Sequence, residues 1–397
     1  LKNRGINVAS AKTGPDYIDA SFHALTTGVA ASNLDPWAMS AAQLKSRADV
    51  AANGADLLLI EGVMGLFDGA VSGNGSTADL AAVLNLPVIL VVDVGSMAQS
   101  IAAVVHGFST LRQDIKVAGV ILNRVASERH ELMLKSALEP LDVTYLGALV
   151  RDDELNIPSR HLGLTLPQDF AAAKAVASTS TNRIDKNIDL DKLQSIAEPI
   201  HQTSEPKRLS PLGQHMAIAR DQAFAFVYPH FLSDWQAQGV QLSFFSPLDD
   251  QTPDQSADAI FLPGGYPELH ASTLGKASTF LATLKDAARS TPISGECGGY
   301  MVLGETLIDA DGTAHKMAGL LGLTTSFETR KLHLGYRTLK RNGYPDQKGH
   351  EFHYATTIKA EGTPLFEGFD AEGTALGPMG LIEGNVSGSF AHIISTD

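Results

Sequence analysis

Short hydrophobic runs that each end in a polar residue or a glycine constrain the fold of this chain most. In the first half, these runs are ADLLLIEG (55–62), PVILVVDVG (87–95) and VAGVILNRV (117–125). Runs that are hydrophobic nearly throughout are typical of parallel strands covered by helices on both faces. The stretches between them, such as STADLAAVLN, show helical spacing after a serine suited to a helix N-cap. The first half is therefore predicted to be an α/β domain, with ligands at the carboxyl ends of its strands.

The sequence changes character near residue 197, where AEPIHQTSEPKRLSPLGQH is rich in Pro, Ser and Gln and poor in apolar residues. Such a composition is typical of an interdomain linker. Strand-like runs then resume, among them VQLSFFSP and ADAIFLPGG, and 397 residues exceed one ordinary domain. We predict two α/β domains, at 1–196 and 216–397, joined by a linker at 197–215.

Charge and composition exclude several classes of function. The formal net charge of −14 disfavours a general nucleic-acid binder, since polyphosphate would be repelled. The longest apolar run, LPVILVV, is far shorter than the ~18 residues that a membrane span needs. A single cysteine cannot form an internal disulfide and suits a reducing compartment. We therefore predict a cytoplasmic protein that binds neither nucleic acid nor membranes.

The only cysteine lies in ISGECGGYMVLG, which has the pattern of a strand, a sharp turn and a helix. Gly295 and Gly299 stand two residues before and after Cys297, the spacing that relieves clashes at a strained nucleophile turn. The following helix N-terminus is expected to lower the pKa of the thiol. The alternative interpretation is a buried structural cysteine.

A thiol nucleophile needs a general base and an oxyanion site. His392, in GNVSGSFAHIIS near the end of the chain, is the candidate base, and a purely structural histidine is the alternative. Gly264 and Gly265, which end a strand in IFLPGG, are candidates for the oxyanion site together with Gly298. A plain turn at the end of a strand is the alternative there.

The combination of a strand ending in PGG, a strand ending in GxCxG and a late histidine resembles class I glutamine amidotransferase domains. The resemblance implies a flavodoxin-like fold and a cysteine that attacks the side-chain amide of glutamine, forms a thioester and releases ammonia. Those domains often place a glutamate two residues after the histidine, where this sequence has Ile394. A Cys–His dyad is therefore expected.

Longer strings across nearly the whole chain, from about residue 5 to 394, resemble the corrinoid a,c-diamide synthases of cobalamin biosynthesis. These strings include AKTGPDYIDASFHALTTG, EGVMGLFDG, ILNRVASERH, LPGGYPELH, RKLHLGYR and GHEFHY. The resemblance implies ATP-dependent amidation of two side-chain carboxylates of cobyrinic or hydrogenobyrinic acid through acyl phosphates. It also implies a P-loop-type, dethiobiotin-synthetase-like parallel sheet in the first domain.

The resemblance further implies a site for ATP and Mg²⁺ in the first domain. Asp16 and Glu61 lie just past predicted strand ends and would be ligands of the magnesium ion, while Lys12 would contact phosphate. Asn123, at the end of GVILN, would contact adenine. For each residue, the alternative is a solvated loop charge or an ordinary turn residue.

The family opens with a strand, a G-x-x-x-x-G-K-[ST] loop and a helix, which would precede Leu1. No such loop occurs within the 397 residues. The loop would supply the phosphate cradle, and its strand would lie in the centre of the sheet. We therefore expect this sequence to be a fragment of a longer gene product, the alternative being a chain that does not bind ATP normally.

A tetrapyrrole polycarboxylate needs cations despite the acidic balance of the chain. Family motifs supply the candidate substrate-binding residues, and a tyrosine that would contact the macrocycle accompanies them. The predicted set is Tyr17, Arg129, His130, Arg160, His161, Arg330, Lys331, His333 and Arg337.

Three other functions stay open at this point. A nickel-sirohydrochlorin a,c-diamide synthase shares these motifs, whereas cobyric acid synthase, with the same domain order, is not expected to contain GPDYID. A non-catalytic tetrapyrrole-binding protein and a bare glutaminase are the alternatives from other classes. The predicted small-molecule partners are glutamine, ATP and the tetrapyrrole, and a homodimer is compatible with all of them.

Overall fold

The structure is a computed structural model that describes residues 1–152, 155, 157, 159–160, 163–200 and 208–396. The chain separates into two compact units. Unit 1 comprises Leu1–Gly69 and Asn74–Pro206, and unit 2 comprises Ala70–Gly73 and Lys207–Asp397. The predicted linker at 197–215 lies partly outside the described residues and stays a prediction.

Unit 1 contains two three-stranded parallel sheets, with strand orders β2-β1-β3 and β4-β5-β6, and a two-stranded hairpin of β7 and β8. The three hydrophobic runs form β3, β4 and β5, which confirms the predicted strands. The strands are β1 (Val8–Thr13), β2 (Ser32–Leu34), β3 (Leu57–Glu61), β4 (Val88–Asp93), β5 (Val117–Val125), β6 (Thr144–Val150), β7 (Ser159–Arg160) and β8 (Gly163–Leu164).

Helices alternate with these strands, and serine side chains start several of them. Ser40, Ser76 and Ser127 each accept a hydrogen bond from the backbone of the first helical turn. The helices are α1 (Ile18–Thr27), α2 (Ala41–Ala52), α3 (Thr77–Leu84), α4 (Ile101–Thr110), α5 (Glu128–Leu138), α6 (Ala173–Asn187) and α7 (Leu190–Ile196).

The two sheets of unit 1 are not covered as fully as their composition predicts. Leu59 in β3 is 40% exposed and Val91 in β4 is 63% exposed. Both residues belong to edge strands, because β3 and β4 each have a hydrogen-bonded neighbour on one side only among the described residues. The core of the unit lies instead around β5, α4 and α5, where Leu122, Val105 and Leu134 are fully buried.

Unit 2 is built on a ten-stranded sheet with order β10-β9-β11-β12-β21-β20-β19-β16-β17-β22. Strands β10 to β21 in that order are parallel, and the remaining strands are antiparallel. A second sheet has order β14-β13-β15-β18. The sequence predicted the parallel part but not the antiparallel extension.

The elements of unit 2 follow one another as strand, turn and helix in its first half and as antiparallel strands in its second. The strands are β9 (His215–Ala219), β10 (Gln241–Phe245), β11 (Ala259–Leu262), β12 (Ile293–Glu296), β13 (Thr306–Ile308), β14 (Ala314–Lys316), β15 (Gly322–Ser326), β16 (His333–Lys340), β17 (Gln347–His353), β18 (Thr356–Glu361), β19 (Thr363–Phe369), β20 (Ala375–Glu383), β21 (Val386–Ser389) and β22 (His392–Thr396). The helices are α8 (Pro229–Ala237), α9 (Ala271–Leu274), α10 (Ser278–Ala287) and α11 (Gly298–Leu303).

A continuous hydrophobic core fixes the parallel strands of unit 2 against its helices. Phe224, Leu262, Phe280 and Leu303 are fully buried in it, and Cys297 belongs to the same cluster. The cysteine is therefore held by a rigid scaffold. Across the described residues of both units, we find no helix that combines the length and apolar character needed to cross a membrane.

Candidate active site

Cys297 occupies a sharp turn between a strand and a helix. β12 ends at Glu296 and α11 begins at Gly298, and Cys297 between them has φ 46° and ψ −102°. A positive φ is uncommon for a residue with a side chain and marks backbone strain. The predicted strand, turn and helix around the cysteine are confirmed. The side chain of Cys297 is nevertheless buried, at 2% exposure.

Close backbone contacts explain the glycines on either side of the cysteine. A Cβ atom on Gly299 would lie 1.9 Å from the carbonyl oxygen of Leu262, and one on Gly295 would lie 2.9 Å from the peptide nitrogen of Tyr300. Both obstacles are backbone atoms, which no change of side-chain rotamer can move. Only glycine therefore fits at these two positions of the turn.

His392, the predicted base, begins β22 and packs against Gly264. The histidine is 3% exposed, and a Cβ atom on Gly264 would lie 2.2 Å from its Cε1 atom. The carbonyl oxygen of Gly264 accepts a hydrogen bond from the peptide N–H of Phe226, at 2.9 Å, which fixes the turn. Gly264 was predicted to belong to the oxyanion site, and in the structure it makes room for the imidazole ring.

Gly265 and Gly298, the other two predicted oxyanion residues, lie side by side. A Cβ atom on Gly298 would lie 3.1 Å from the peptide nitrogen of Gly265, and the N–H of Gly298 donates a hydrogen bond to the thiol of Cys297. The structure thus brings the cysteine, two peptide N–H groups and the histidine into one region. Oxyanion stabilisation by these glycines stays a prediction.

The environment of Cys297 opposes thiolate formation. Burial, together with the charges of Glu268 and Glu351, raises the pKa of the Cys297 thiol, and the N–H of Gly298 offsets this only in part. The first peptide N–H of α11 therefore lowers this pKa, as expected, but by less than burial raises it. The physical reason is that α11 has only six residues, whereas burial removes the thiol from water.

His392 is held in its neutral form. Burial, followed by the charges of His350 and His353, lowers the pKa of His392 to about 3. These two histidines belong to β17, which pairs with β22 so that His350 stands opposite His392. A neutral imidazole can accept a proton, and the thiol of Cys297 still carries one.

A carboxylate on β17 organises the neighbouring cations. Glu351 accepts a hydrogen bond from Nε of Arg337, at 2.8 Å, and lies 3.1 Å from Nε2 of His353. The side chain of Arg337 is only 12% exposed. The guanidinium of Arg337 neutralises a buried carboxylate, and its role in substrate binding stays a prediction.

The remaining cations of the RKLHLGYR motif fall into two groups. The ring of His333 stacks on His353 with centroids 4.7 Å apart, and burial with the charge of His353 lowers its pKa. His333 is therefore neutral at pH 7, and its role in substrate binding stays a prediction. Arg330 and Lys331 are exposed just before β16, and their role in substrate binding stays a prediction.

In unit 1, Lys12 is buried at the end of β1 among oxygen atoms. Its Nζ atom donates to the carbonyl oxygen of Gly62, at 2.8 Å, and lies 2.7 Å from Asp19 and 3.4 Å from Glu61. Lys12 and Glu61 are register partners in the neighbouring parallel strands β1 and β3. The predicted phosphate contact and magnesium ligand are therefore adjacent.

The carboxylates of Asp16 and Glu61 fit the chemistry of a magnesium site. Burial and the charge of Asp19 raise the pKa of Asp16, a cost that a bound cation would relieve. Burial alone would raise the pKa of Glu61, but a hydrogen bond from His23, at 2.5 Å, and the charge of Lys12 lower it overall. Among the described residues no group of three or more potential ligands converges on one point. Mg²⁺ usually takes one or two carboxylates, with phosphates and water for the rest, so two suffice.

Asn123 lies near the end of β5 and lines a cavity of about 730 Å³. Its Oδ1 atom accepts a hydrogen bond from the peptide N–H of Arg124, which itself has φ 61° and contacts Asp93 at 3.0 Å. The cavity lies at the carboxyl ends of β5 and β6, where ligands of parallel sheets bind. Adenine binding at Asn123 stays a prediction.

The other predicted substrate residues have different environments. Arg129 is exposed on α5, and Tyr17 immediately precedes α1. The two ring nitrogens of His130 lie 3.2 Å from the N–H of Ala126 and 2.7 Å from the carbonyl oxygen of Met97. Both ring nitrogens of His130 thus contact backbone groups, and its role in substrate binding stays a prediction.

The last two candidates, Arg160 and His161, lie in a segment that the structure describes only in part. The backbone of Arg160 belongs to the short hairpin of β7 and β8. His161 lies outside the described residues. Both stay predictions as substrate-binding residues.

Sequence analysis missed four residues that the structure places at these sites. Asp19 and His23 lie on one face of α1 beside Lys12 and Glu61. Glu351 lies beside Arg337, and Glu296 lies beside His392. Of these four, only Glu296 could have been suspected from the sequence, because it directly precedes the proposed nucleophile.

The fold and the two sites define the class of the protein. Residues 215–397 match the CobB/CobQ-like glutamine amidotransferase domain family, and residues 18–159 match an AAA domain family. The chain is a two-domain enzyme of the glutamine-hydrolysing carbon–nitrogen ligase class, with a nucleotide-binding type of fold in its first part. The predicted fold class is confirmed.

Within that class, the chain belongs to the family of the hydrogenobyrinate a,c-diamide synthases. It is 52% identical to the enzyme of that name from Brucella anthropi, over 99% of this chain and 93% of the relative. It is 48% identical to the one from Rhizobium meliloti, over 99% and 93%, and 46% identical to the one from Rhodobacter capsulatus, over 100% and 93%. The predicted family is therefore confirmed.

Proposed function

We propose that this chain converts the a and c carboxylates of hydrogenobyrinic acid into amides, with glutamine as the nitrogen source and ATP as the energy source. The identity of 46–52% to synthases of that substrate, over nearly the whole chain, carries the proposal. The proposed site in unit 2 would release ammonia, and the one in unit 1 would activate the carboxylate.

In the first half-reaction, the sulfur of Cys297 attacks the side-chain amide carbon of glutamine. His392 takes the thiol proton and passes it to the departing nitrogen, so the carbon–nitrogen bond breaks and ammonia leaves. The N–H groups of Gly265 and Gly298 would stabilise the negative oxygen of the tetrahedral intermediate. Water then hydrolyses the thioester to glutamate and restores the thiol.

In the second half-reaction, a carboxylate oxygen of the tetrapyrrole takes the γ-phosphoryl group of ATP, and ADP leaves. Ammonia attacks the acyl phosphate, the carbon–oxygen bond breaks, and phosphate departs with the amide formed. A free carboxylate resists a nucleophile, whereas phosphorylation makes its oxygen a leaving group. Lys12, buried among carboxylates, would neutralise phosphate charge during the transfer.

Asp16 and Glu61 would hold a Mg²⁺ ion against the phosphates, where it would neutralise developing charge. His23 and Asp19 would orient this site through their contacts with Glu61 and Lys12, at 2.5 and 2.7 Å. A residue that fixes a ligand usually affects metal affinity almost as strongly as the ligand itself.

An exposed surface beside β16 suits the tetrapyrrole. Arg330 and Lys331 are exposed there, and they are followed by Leu332 and Leu334, which are 48% and 56% exposed. Cations next to apolar side chains match a macrocycle that carries carboxylates on a largely apolar ring. This surface supports a role for Arg330 and Lys331 in substrate binding.

Cobyrinic acid, which contains cobalt, and nickel-sirohydrochlorin are the competing substrates. The names of the curated relatives favour the cobalt-free hydrogenobyrinate. We further propose that the reaction takes place in the cytoplasm, which the single cysteine supports. It requires neither nucleic acid nor a membrane, and a homodimer is compatible with it.

The test incubates the full-length gene product, with any residues encoded upstream of Leu1, with Mg-ATP and glutamine that carries a heavy amide nitrogen. Mass spectrometry would follow two successive amidations of hydrogenobyrinic acid, each adding one heavy nitrogen. Cobyrinic acid and nickel-sirohydrochlorin are offered in parallel. Preferred turnover of either would overturn the substrate assignment, and ammonia release without any amidated tetrapyrrole would overturn the synthase proposal.

The variant Cys297→Ala separates the two half-reactions. We expect it to lose glutamine-supported amidation and to keep amidation supported by added ammonium salt. Loss of both activities in a folded variant would contradict this division of labour between the two sites.

A further inference from the structure

We propose that Glu296, the residue immediately before the nucleophile, positions His392, so that the glutaminase centre is a Cys297–His392–Glu296 triad. This inference rests on the proposed function for the roles of Cys297 and His392. It replaces the Cys–His dyad that was expected because Ile394 stands where related domains often have a glutamate. The structure instead places a carboxyl group, that of Glu296, beside the histidine from another strand.

Glu296 bridges two consecutive residues of β22. Its Oε1 atom accepts a hydrogen bond from the peptide N–H of Ile393, at 3.2 Å, and its Oε2 atom lies 3.7 Å from Nδ1 of His392. One carboxyl group therefore contacts the backbone of the strand that carries the histidine and also approaches the ring. A carboxylate in this position selects the tautomer with hydrogen on Nδ1, in which Nε2 carries the lone pair that can accept the thiol proton.

The same glutamate is tied to the nucleophile by the fold. β12 pairs with β21 so that Glu296 stands opposite Ser389, and the carbonyl oxygen of Ser389 accepts the N–H of Cys297, at 2.8 Å. A shift of Glu296 would therefore move the cysteine as well. Because Glu296 and Cys297 are consecutive residues, the carboxyl group and the thiol belong to the same turn.

Glu296 and His392 are both buried, and burial changes the protonation state of the carboxyl group. Glu296 is 8% exposed and His392 is 3% exposed, and an isolated buried charge on either would be costly. Burial raises the pKa of Glu296 to about 8. The carboxyl group is therefore largely protonated at neutral pH, and it must lose its proton before it can accept a hydrogen bond from Nδ1.

The distance of 3.7 Å is longer than a hydrogen bond. After ionisation, the carboxylate and the Nδ1–H group attract each other. An imidazolium formed on His392 during thioester formation would then face a negative charge instead of apolar surroundings. Glutaminase activity should therefore rise as pH increases through the pKa of Glu296.

Other titratable groups also face this pair. From β17, the charged forms of His350, His353 and Glu351 act on His392. From the loop between β16 and β17, Arg341 and Tyr344 line the same cavity as Glu296. Glu351 is the rival acid, but it already pairs with Arg337 and His353.

The experiment measures thioester formation at Cys297 in single turnovers with labelled glutamine, across a range of pH, in the full-length enzyme. In the wild type, we expect the rate to rise with an apparent pKa near 8, the value for Glu296. In Glu296→Gln, the rate should fall roughly 100-fold and lose the inflection near pH 8, since the amide does not ionise. Only the rise above about pH 8.5 that belongs to the Cys297 thiol should stay. A purely structural role would lower the rate without removing its pH dependence.

Three further variants keep the proposal falsifiable. Glu296→Asp retains an ionisable group and should retain a rise with pH at a reduced rate. Glu351→Gln should keep the rise near pH 8, the pKa of Glu296. Glu305→Gln makes the same change at an exposed glutamate that pairs with Lys359, at 3.0 Å, and should match the wild type.

Amidation supported by ammonium salt reports whether each variant is folded. A wild-type pH profile in Glu296→Gln, or a profile lost in Glu351→Gln instead, would overturn the role of Glu296. If Glu296→Gln fails to fold, the profile of Glu296→Asp decides, and an absent rise there would overturn it. If Cys297→Ala still releases ammonia from glutamine, the proposed nucleophile is wrong, which is a separate failure from that of Glu296.

Discussion

The imidazole of His392 lies against Gly264 so closely that a single methyl group on the glycine would stand 2.2 Å from Cε1 of the ring. The absence of a side chain at Gly264 therefore allows the ring of the proposed base to lie where it does. The ring cannot stay where it is if residue 264 has a side chain.

We expect Gly264→Ala to lower glutaminase activity by roughly 100-fold, because displacing a catalytic group by about 1 Å can cost that much. Amidation supported by ammonium salt should be retained. Gly107→Ala is the matched control, since a Cβ atom there meets no atom within 4 Å. Steady-state ammonia release measures the effect, and a wild-type rate in Gly264→Ala would contradict the placement of His392.

The raised pKa of the Cys297 thiol has a direct consequence for its reactivity. The thiolate is the reactive form, and a pKa above the usual value of about 8.5 means that it increases with pH beyond that value. We expect the rate of modification by iodoacetamide, without glutamine, to keep rising past pH 8.5. Because Cys297 is the only cysteine, incorporated label reports on it alone. A plateau at lower pH would show that the thiol is already ionised.

Replacement of Glu61 should impair ATP turnover and spare glutaminase activity, which is the reverse of the effect expected for Cys297→Ala. We expect Glu61→Gln to lower ATP turnover by roughly 10- to 100-fold, because it weakens both the proposed magnesium site and the contacts with Lys12 and His23. Basal glutaminase activity should be unchanged. Glu139→Gln, at an exposed position after α5, is the control. ADP release at several Mg²⁺ concentrations measures the effect, and normal turnover would remove Glu61 from the site.

The exposed cations beside β16 should act on substrate affinity. We expect the double variant of Arg330→Ala and Lys331→Ala to raise the KM for hydrogenobyrinic acid roughly tenfold, equivalent to the loss of about 1.4 kcal/mol of binding energy. The KM for glutamine should not change. Lys285→Ala, on α10 of the same unit, controls for the loss of charge. An unchanged KM for the tetrapyrrole would place its binding surface elsewhere.

Local patterns in the sequence predicted the parts of the fold that depend on neighbouring residues. The strands β3, β4 and β5 follow from continuous hydrophobic runs, and the turn at Cys297 follows from glycines at fixed spacing. The antiparallel strands from β16 to β20 were not predicted, although β16 pairs with β17 and β19 with β20 as sequence neighbours, because these partly exposed strands do not form continuous hydrophobic runs.

Side-chain partners were the least predictable feature. Arg337 and His130 are residues of the types that bind anions. The sequence does not show that Arg337 pairs with Glu351 or that the ring of His130 contacts the backbone. Likewise, Glu296 and His392 are 96 residues apart in the sequence and meet only through the pairing of β12, β21 and their neighbours. Their proximity is a property of the sheet.

The backbone of Cys297, with φ 46°, favours a residue without a side chain. A non-glycine residue in such a region costs on the order of 1–3 kcal/mol, and neighbouring glycines and strands hold it there. A glycine at this position would give a more stable chain without a nucleophile. Stabilising substitutions selected for folding alone would thus converge on an inactive protein, and the cysteine marks a position where activity and stability are in direct conflict.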